Sequence, residues 1–161
     1  MALDSRKLLF QLQQEAEKWP LEDLEQQYSQ WKSQEYAPGT PEYVNEKNAL
    51  YNLETMLELK HNNGAFFAEN IPNQYYQKLV DCINSYMDTY APGQTDLKDY
   101  LRILTLYKTF IAKMPLHPPE MQMGGGKVYK KGRDYYCGVK QQYIHDENSM
   151  CRFCIAKICE Y

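Results

Sequence analysis

The chain has 161 residues and a formal net charge of −3, with 43% hydrophobic and 24% charged residues. That length buries a core without disulfides, and eight Gly and eight Pro exclude collagen-like and low-complexity classes. No apolar run reaches the ~18 residues of a membrane span, and Met1 to Lys7 opens no secretion signal, so the composition predicts a cytoplasmic protein with no membrane partner.

The first helix is expected over 4–19. Asp4 or Ser5 caps it, Leu8, Leu9, Leu12, Ala16 and Trp19 form one stripe, and Pro20 stops it. A second helix over 21–36 repeats the style with Leu21, Leu24, Tyr28 and Trp31. Pro38-Gly39 breaks the chain, and Thr40-Pro41 caps and opens a third helix that runs to about residue 60 and ends at Asn62-Asn63-Gly64. A fourth helix starts at Pro72 or Asn73 and ends before Pro92-Gly93. Thr95 caps a fifth, which carries Leu97, Leu101, Leu104, Ile111 and Met114 up to Pro115. Five amphipathic helices with short connections predict an antiparallel bundle over 1–114.

From Pro115 the style changes. Residues 1–114 carry 11 Lys/Arg against 16 Asp/Glu, whereas 115–161 carry 7 against 5, so an acidic part gives way to a basic one. Leu116-His117-Pro118-Pro119 cannot be helical. Lys127–Lys130 and Tyr135–Val139 read as short strands joined by a turn over 131–134, and Cys151–Ile158 reads as a terminal helix. The expected fold is mainly α: a multi-helix bundle with a 115–161 hairpin-and-helix module packed on it.

Four of the five cysteines, Cys137, Cys151, Cys154 and Cys159, fall in the last 25 residues, which reads as metal binding before disulfides. The candidate ligands are His117, Cys137, Cys151 and Cys154. Zinc takes four such groups in a tetrahedron. A Cys-x2-Cys pair at a helix start places both thiols on one face, with the helix N-terminus favouring thiolate. Cys137 at a strand exit and His117 in a proline-rigid loop supply the other corners. Cys159, His145 and Asp146 compete for the fourth place. The alternative cofactor is an iron–sulfur cluster on the four tail cysteines, and the plainest alternative is a set of buried thiols with no metal.

His117-Pro118, Gly124 to Val128, Tyr135-Tyr136-Cys137-Gly138-Val139-Lys140 and Met150 to Lys157 resemble the archaeal domain-of-unknown-function family numbered 2115. The resemblance is clear over 115–157 and implies an archaeal, intracellular protein with no assigned activity. Gly138 stands where that pattern has Pro.

Lys127, Lys130, Lys131, Arg133 and Lys140, interleaved with Tyr129, Tyr135 and Tyr136, suit single-stranded RNA. An overall pI of 5.6 weighs against it. His117, Glu120 and the Cys-x2-Cys pair faintly echo the zinc deaminases, but there the Glu follows the His by two residues. No catalytic residue stands out, and no phosphate loop or nucleophile elbow is present. The sequence points to a non-enzymatic module for an unknown protein partner. A redox or hydrolytic metalloenzyme and an RNA-binding protein are the alternatives.

Overall fold

The computed structural model describes residues 2–123, 126–147 and 149–158. Five helices fill the acidic part: α1 (Ser5–Glu15), α2 (Leu21–Lys32), α3 (Pro41–His61), α4 (Asn73–Tyr90) and α5 (Thr95–Tyr107). Asp4 Oδ1 accepts from the Lys7 N–H at 2.8 Å and so caps α1. A tighter turn, Ala16–Lys18, then leads into Pro20. α2 stops four residues short of the expected 36. There the Ser33 hydroxyl donates to the Gln30 carbonyl at 2.7 Å, competing with the helical ladder. Thr40 Oγ1 caps α3 by accepting from the Tyr43 N–H at 3.2 Å. Gly64, at φ +77°, turns the chain out of α3 while Asn62 Oδ1 accepts its N–H at 2.9 Å. Thr95 is not the cap of α5. Gln94 is, and its side chain makes no capping bond.

The end of α5 also differs from expectation. After Tyr107 the chain widens into a π turn, Lys108–Ala112, and stops at Lys113, which is left-handed at φ +54°. The Met114 N–H reaches back to the Lys108 carbonyl at 2.9 Å. Such turns insert an extra residue into a helix and re-aim its side chains.

α2 lies along α3, α5 along α4, and α1 meets α3 and α5. Their apolar stripes close on Leu8, Leu9 and Leu12, with Met56, Leu59 and Ile83 opposite, all fully buried. Each such side chain contributes about 1.5–3 kcal/mol by leaving water. Tyr107 is buried among them. Its hydroxyl accepts from Asn62 Nδ2 at 3.2 Å, and burial pushes its phenol up to about 12.

In the tail, β1 (Val128–Lys131) and β2 (Asp134–Cys137) form an antiparallel hairpin in the register Val128 to Cys137 and Lys131 to Asp134. The strands are shifted by about a residue from the sequence reading. A two-residue turn, Gly132-Arg133, joins them, with positive φ at Gly132 only, the type II′ pattern. The terminal helix expected over Cys151–Ile158 does not form. One turn at Cys151–Phe153 is followed by extended chain, and β3 (Lys157–Ile158) joins β2 in parallel. The Lys140 ammonium takes the Cys154 and Ala156 carbonyls at 2.7 and 2.6 Å, and a continued helix would need the first of these. Val128, Cys137, Val139 and Ala156 form a small buried cluster of their own. Phe153, by contrast, belongs to the bundle core and packs on Tyr75 at 5.4 Å between ring centres.

Candidate metal centre

The strap after α5 brings the tail onto the bundle. The buried Tyr51 hydroxyl on α3 donates to the Pro115 carbonyl at 2.6 Å. Lys108 Nζ donates to Asn52 Oδ1 at 2.8 Å and to the Leu116 carbonyl at 3.3 Å, and lies 4.5 Å from the centre of the Tyr51 ring. The Leu116 N–H points at the Cys154 sulfur, 3.4 Å away. An unbroken run of contacts thus links α3 and the π turn to a tail thiol.

His117 follows on that strap. Together with Cys137 at the end of β2 and Cys151 and Cys154 in the tail turn, it lines one small cavity of about 20 Å³. That is room for roughly one water or one ion. Cys151 and Cys154 are on the same side because the Cys154 N–H closes a three-residue turn onto the Cys151 carbonyl at 3.1 Å, where positions three apart eclipse. No helix N-terminus stands behind the pair, since the expected helix is absent. Among the described residues, no three His, Cys, Asp or Glu groups are already gathered around one point as metal ligands.

Burial pushes the Cys137 thiol up, against the Val139 and Lys140 backbone N–H groups that face its sulfur. The nearby Cys154 and Cys151 push it further up. Burial, and then the Lys108 charge, hold the His117 imidazole below its ordinary range, so it is neutral near pH 7 and offers a nitrogen lone pair. All four described cysteines are free thiols. Cys82 is in the bundle core, and its thiol lies 3.6 Å from the Ser149 carbonyl as donor.

The competing ligands sit elsewhere. His145 is exposed, and Asp146 borders a neighbouring cavity; neither lines the small one. Cys159 lies outside the described residues. Glu120 is turned toward Lys127 at 2.6 Å, and it too is not part of that lining, so the deaminase echo has no geometry behind it. In the basic hairpin, Lys127 pairs with Glu120, Lys130 lies over Tyr135 at 5.5 Å, and Lys140 holds two tail carbonyls. Tyr129 and Tyr136 stack on each other at 5.6 Å. Much of that basic, aromatic pattern is therefore spent within the tail.

Lys108 is the residue that sequence reasoning missed. It is only 4% exposed, and burial pulls its ammonium down to about 7. The signal was present: Lys108 follows Leu101 and Leu104 by seven and four residues and precedes Ile111 by three, on the core-facing stripe of α5.

These features define a helical-bundle protein with a small three-stranded tail, in which one imidazole and three thiols border one small cavity. The chain belongs to the archaeal domain-of-unknown-function family 2115, described as an uncharacterized protein conserved in archaea, whose profile matches residues 4–158. The kinship read from 115–157 thus extends through the helices. A UPF0305 protein of Methanocaldococcus jannaschii is 33% identical over 131 residues, 78% of each chain. Another, from Methanothermobacter thermautotrophicus, is 41% identical over 56 residues, 34% of each chain. A third, from Methanopyrus kandleri, is 26% identical over 87 residues, 53% of this chain and 61% of its own. No solved structure matches the chain. Among the described residues, no helix is long and apolar enough to cross a membrane.

Proposed function

We propose that the protein is a non-enzymatic, cytoplasmic binding module for a protein partner, its tail organised by one structural zinc ion held by His117, Cys137, Cys151 and Cys154. The carrying observation is that these four residues, far apart in sequence, line one cavity of about 20 Å³. One nitrogen and three sulfurs are a standard zinc set, and four protein ligands leave no position for a reactive water. The Leu116 N–H on Cys154 and the Val139 and Lys140 N–H groups facing Cys137 are the outer partners that thiolate ligands need. Closing the four side chains onto a dication also supplies what the tail lacks. Its own buried cluster is four residues, two of them no larger than Cys or Ala.

The test is elemental analysis of the purified full chain. About one zinc per chain is expected, lost in Cys137→Ser and Cys151→Ser and retained in Cys82→Ser. Protein grown with ample zinc that purifies without it, or that keeps it in both tail variants, refutes the reading. An open-site metalloenzyme is the second reading, favoured by His117 and Cys151 also bordering two larger cavities. An iron–sulfur cluster would instead give a brown protein on anaerobic purification.

A further inference from the structure

Two larger cavities adjoin the thiol cluster, of about 310 and 550 Å³. Both are lined by Tyr86, His117, Ser149 and Cys151, so they are two arms of one cleft between the bundle and the tail. Clefts of this size, at the junction of two packed units, are where small molecules bind.

The arms differ in chemistry. The smaller is polar at its inner end, with Asn48, Asn52, Thr105 and Lys108. No carboxylate is among its lining residues. Asn52 Oδ1 is committed to the Lys108 ammonium, so Asn52 presents its NH2 group to anything else. That end therefore offers N–H donors and a lysine nitrogen whose ammonium form a bound anion would favour. The larger arm is lined by Val44, Tyr90, Met123, Val139 and Tyr143, with Asp146 also in its lining. Tyr90 and Tyr143 are 62% and 44% exposed, large ring faces left open to water at the mouth.

We propose that this cleft binds a small molecule joining a flat apolar body to an anionic head, the head at Lys108 and Asn52 and the body along Tyr86, Tyr90 and Tyr143. Lys108 and Asn52 decide the head: an anion accepts their N–H groups and by its charge favours the ammonium form of Lys108, whereas this end has no carboxylate to draw a cation. The ring faces decide the body, since aromatic walls favour flat partners at low entropic cost.

The inference does not rest on the zinc reading; zinc content is measured separately, and either idea can fail alone. The probe is 8-anilinonaphthalene-1-sulfonate, titrated against the full chain as purified and followed by fluorescence. Saturable one-to-one binding is expected. Tyr143→Ala and Lys108→Met should each weaken it about tenfold. Tyr143 is at the mouth, so its variant keeps the test alive should Lys108→Met fold poorly. Leu97→Ala, in the adjoining groove walled by Trp19, Trp31 and Tyr100, which shares Asn52 and Leu101 with the cleft while Leu97 lines neither arm, should leave binding unchanged. 2-Naphthoate should displace the probe, and neutral 2-naphthalenemethanol should not. Unsaturable binding, binding indifferent to Tyr143→Ala, loss in Leu97→Ala, or equal displacement by the neutral alcohol overturns the proposal.

Discussion

Replacing Lys108 by Met removes the most heavily buried charge near the tail and tests whether the bundle carries it at a cost. In the unfolded chain the ammonium titrates near its ordinary 10.5, whereas burial brings it to about 7 in the fold. Between those values the unfolded chain keeps a proton that the folded chain has shed. Stability therefore rises with pH across the window, by about 1.4 kcal/mol per unit for one proton. Other groups limit the useful range. Below pH ~6.5 the depressed His117 adds its own slope. Above pH ~8.5 the raised thiols of Cys82 and Cys137 oppose, because the unfolded chain loses those protons first. From pH ~7, where the folded Lys108 has shed half its proton, to pH ~8.5 the wild-type protein should gain about 1.6 kcal/mol, roughly 3–6 °C in Tm, while Lys108→Met stays flat. The assay is denaturant unfolding followed by circular dichroism at both pH values, on protein stripped of metal, since thiolates on a cation would hold the ammonium in place. Absolute stabilities are not compared, because Met also leaves the Asn52 and Leu116 oxygens without a donor. Equal pH slopes in the two proteins would refute the reasoning.

Tyr51→Phe deletes the buried hydroxyl that holds the Pro115 carbonyl; about 1–3 kcal/mol of stability should be lost in urea unfolding, and an unchanged midpoint would count against the strap. Gly126→Ala should cost more than Gly132→Ala in thermal melts, by roughly 1–3 kcal/mol. Both glycines have positive φ, but a Cβ at Gly126 would meet the Gly138 backbone at 3.1 Å, whereas one at Gly132 meets nothing within 4 Å.

The five helices were legible because their stripes and breakers agree: Leu8, Leu9 and Leu12 are spaced for one face, and Pro20, Gly64 and Pro92-Gly93 interrupt at the right places. The tail helix was misread because nothing local marks Lys140 as the donor that captures the Cys154 and Ala156 carbonyls from far along the chain. Likewise the π turn has no composition of its own; the left-handed Lys113 and the strap bonds create it. Residue type and spacing single out His117, Cys137, Cys151 and Cys154 as candidates, and in the structure all four line one cavity. Their surroundings were not, because Tyr51, Asn52 and Lys108 act through contacts between elements rather than through any motif. Gly138, which departs from the family's proline, donates its N–H to the Lys127 carbonyl at 3.1 Å, a bond proline cannot make.

The ring of Phe153 ties the tail to the bundle in a way the sheet does not. It comes from the tail but sits among side chains of the helices, near Tyr75, which in turn touches Phe110. Peeling the tail away would thus open a hole in the main interior, so the two parts share one melting event and clipping the last dozen residues would be felt at α4 and the π turn.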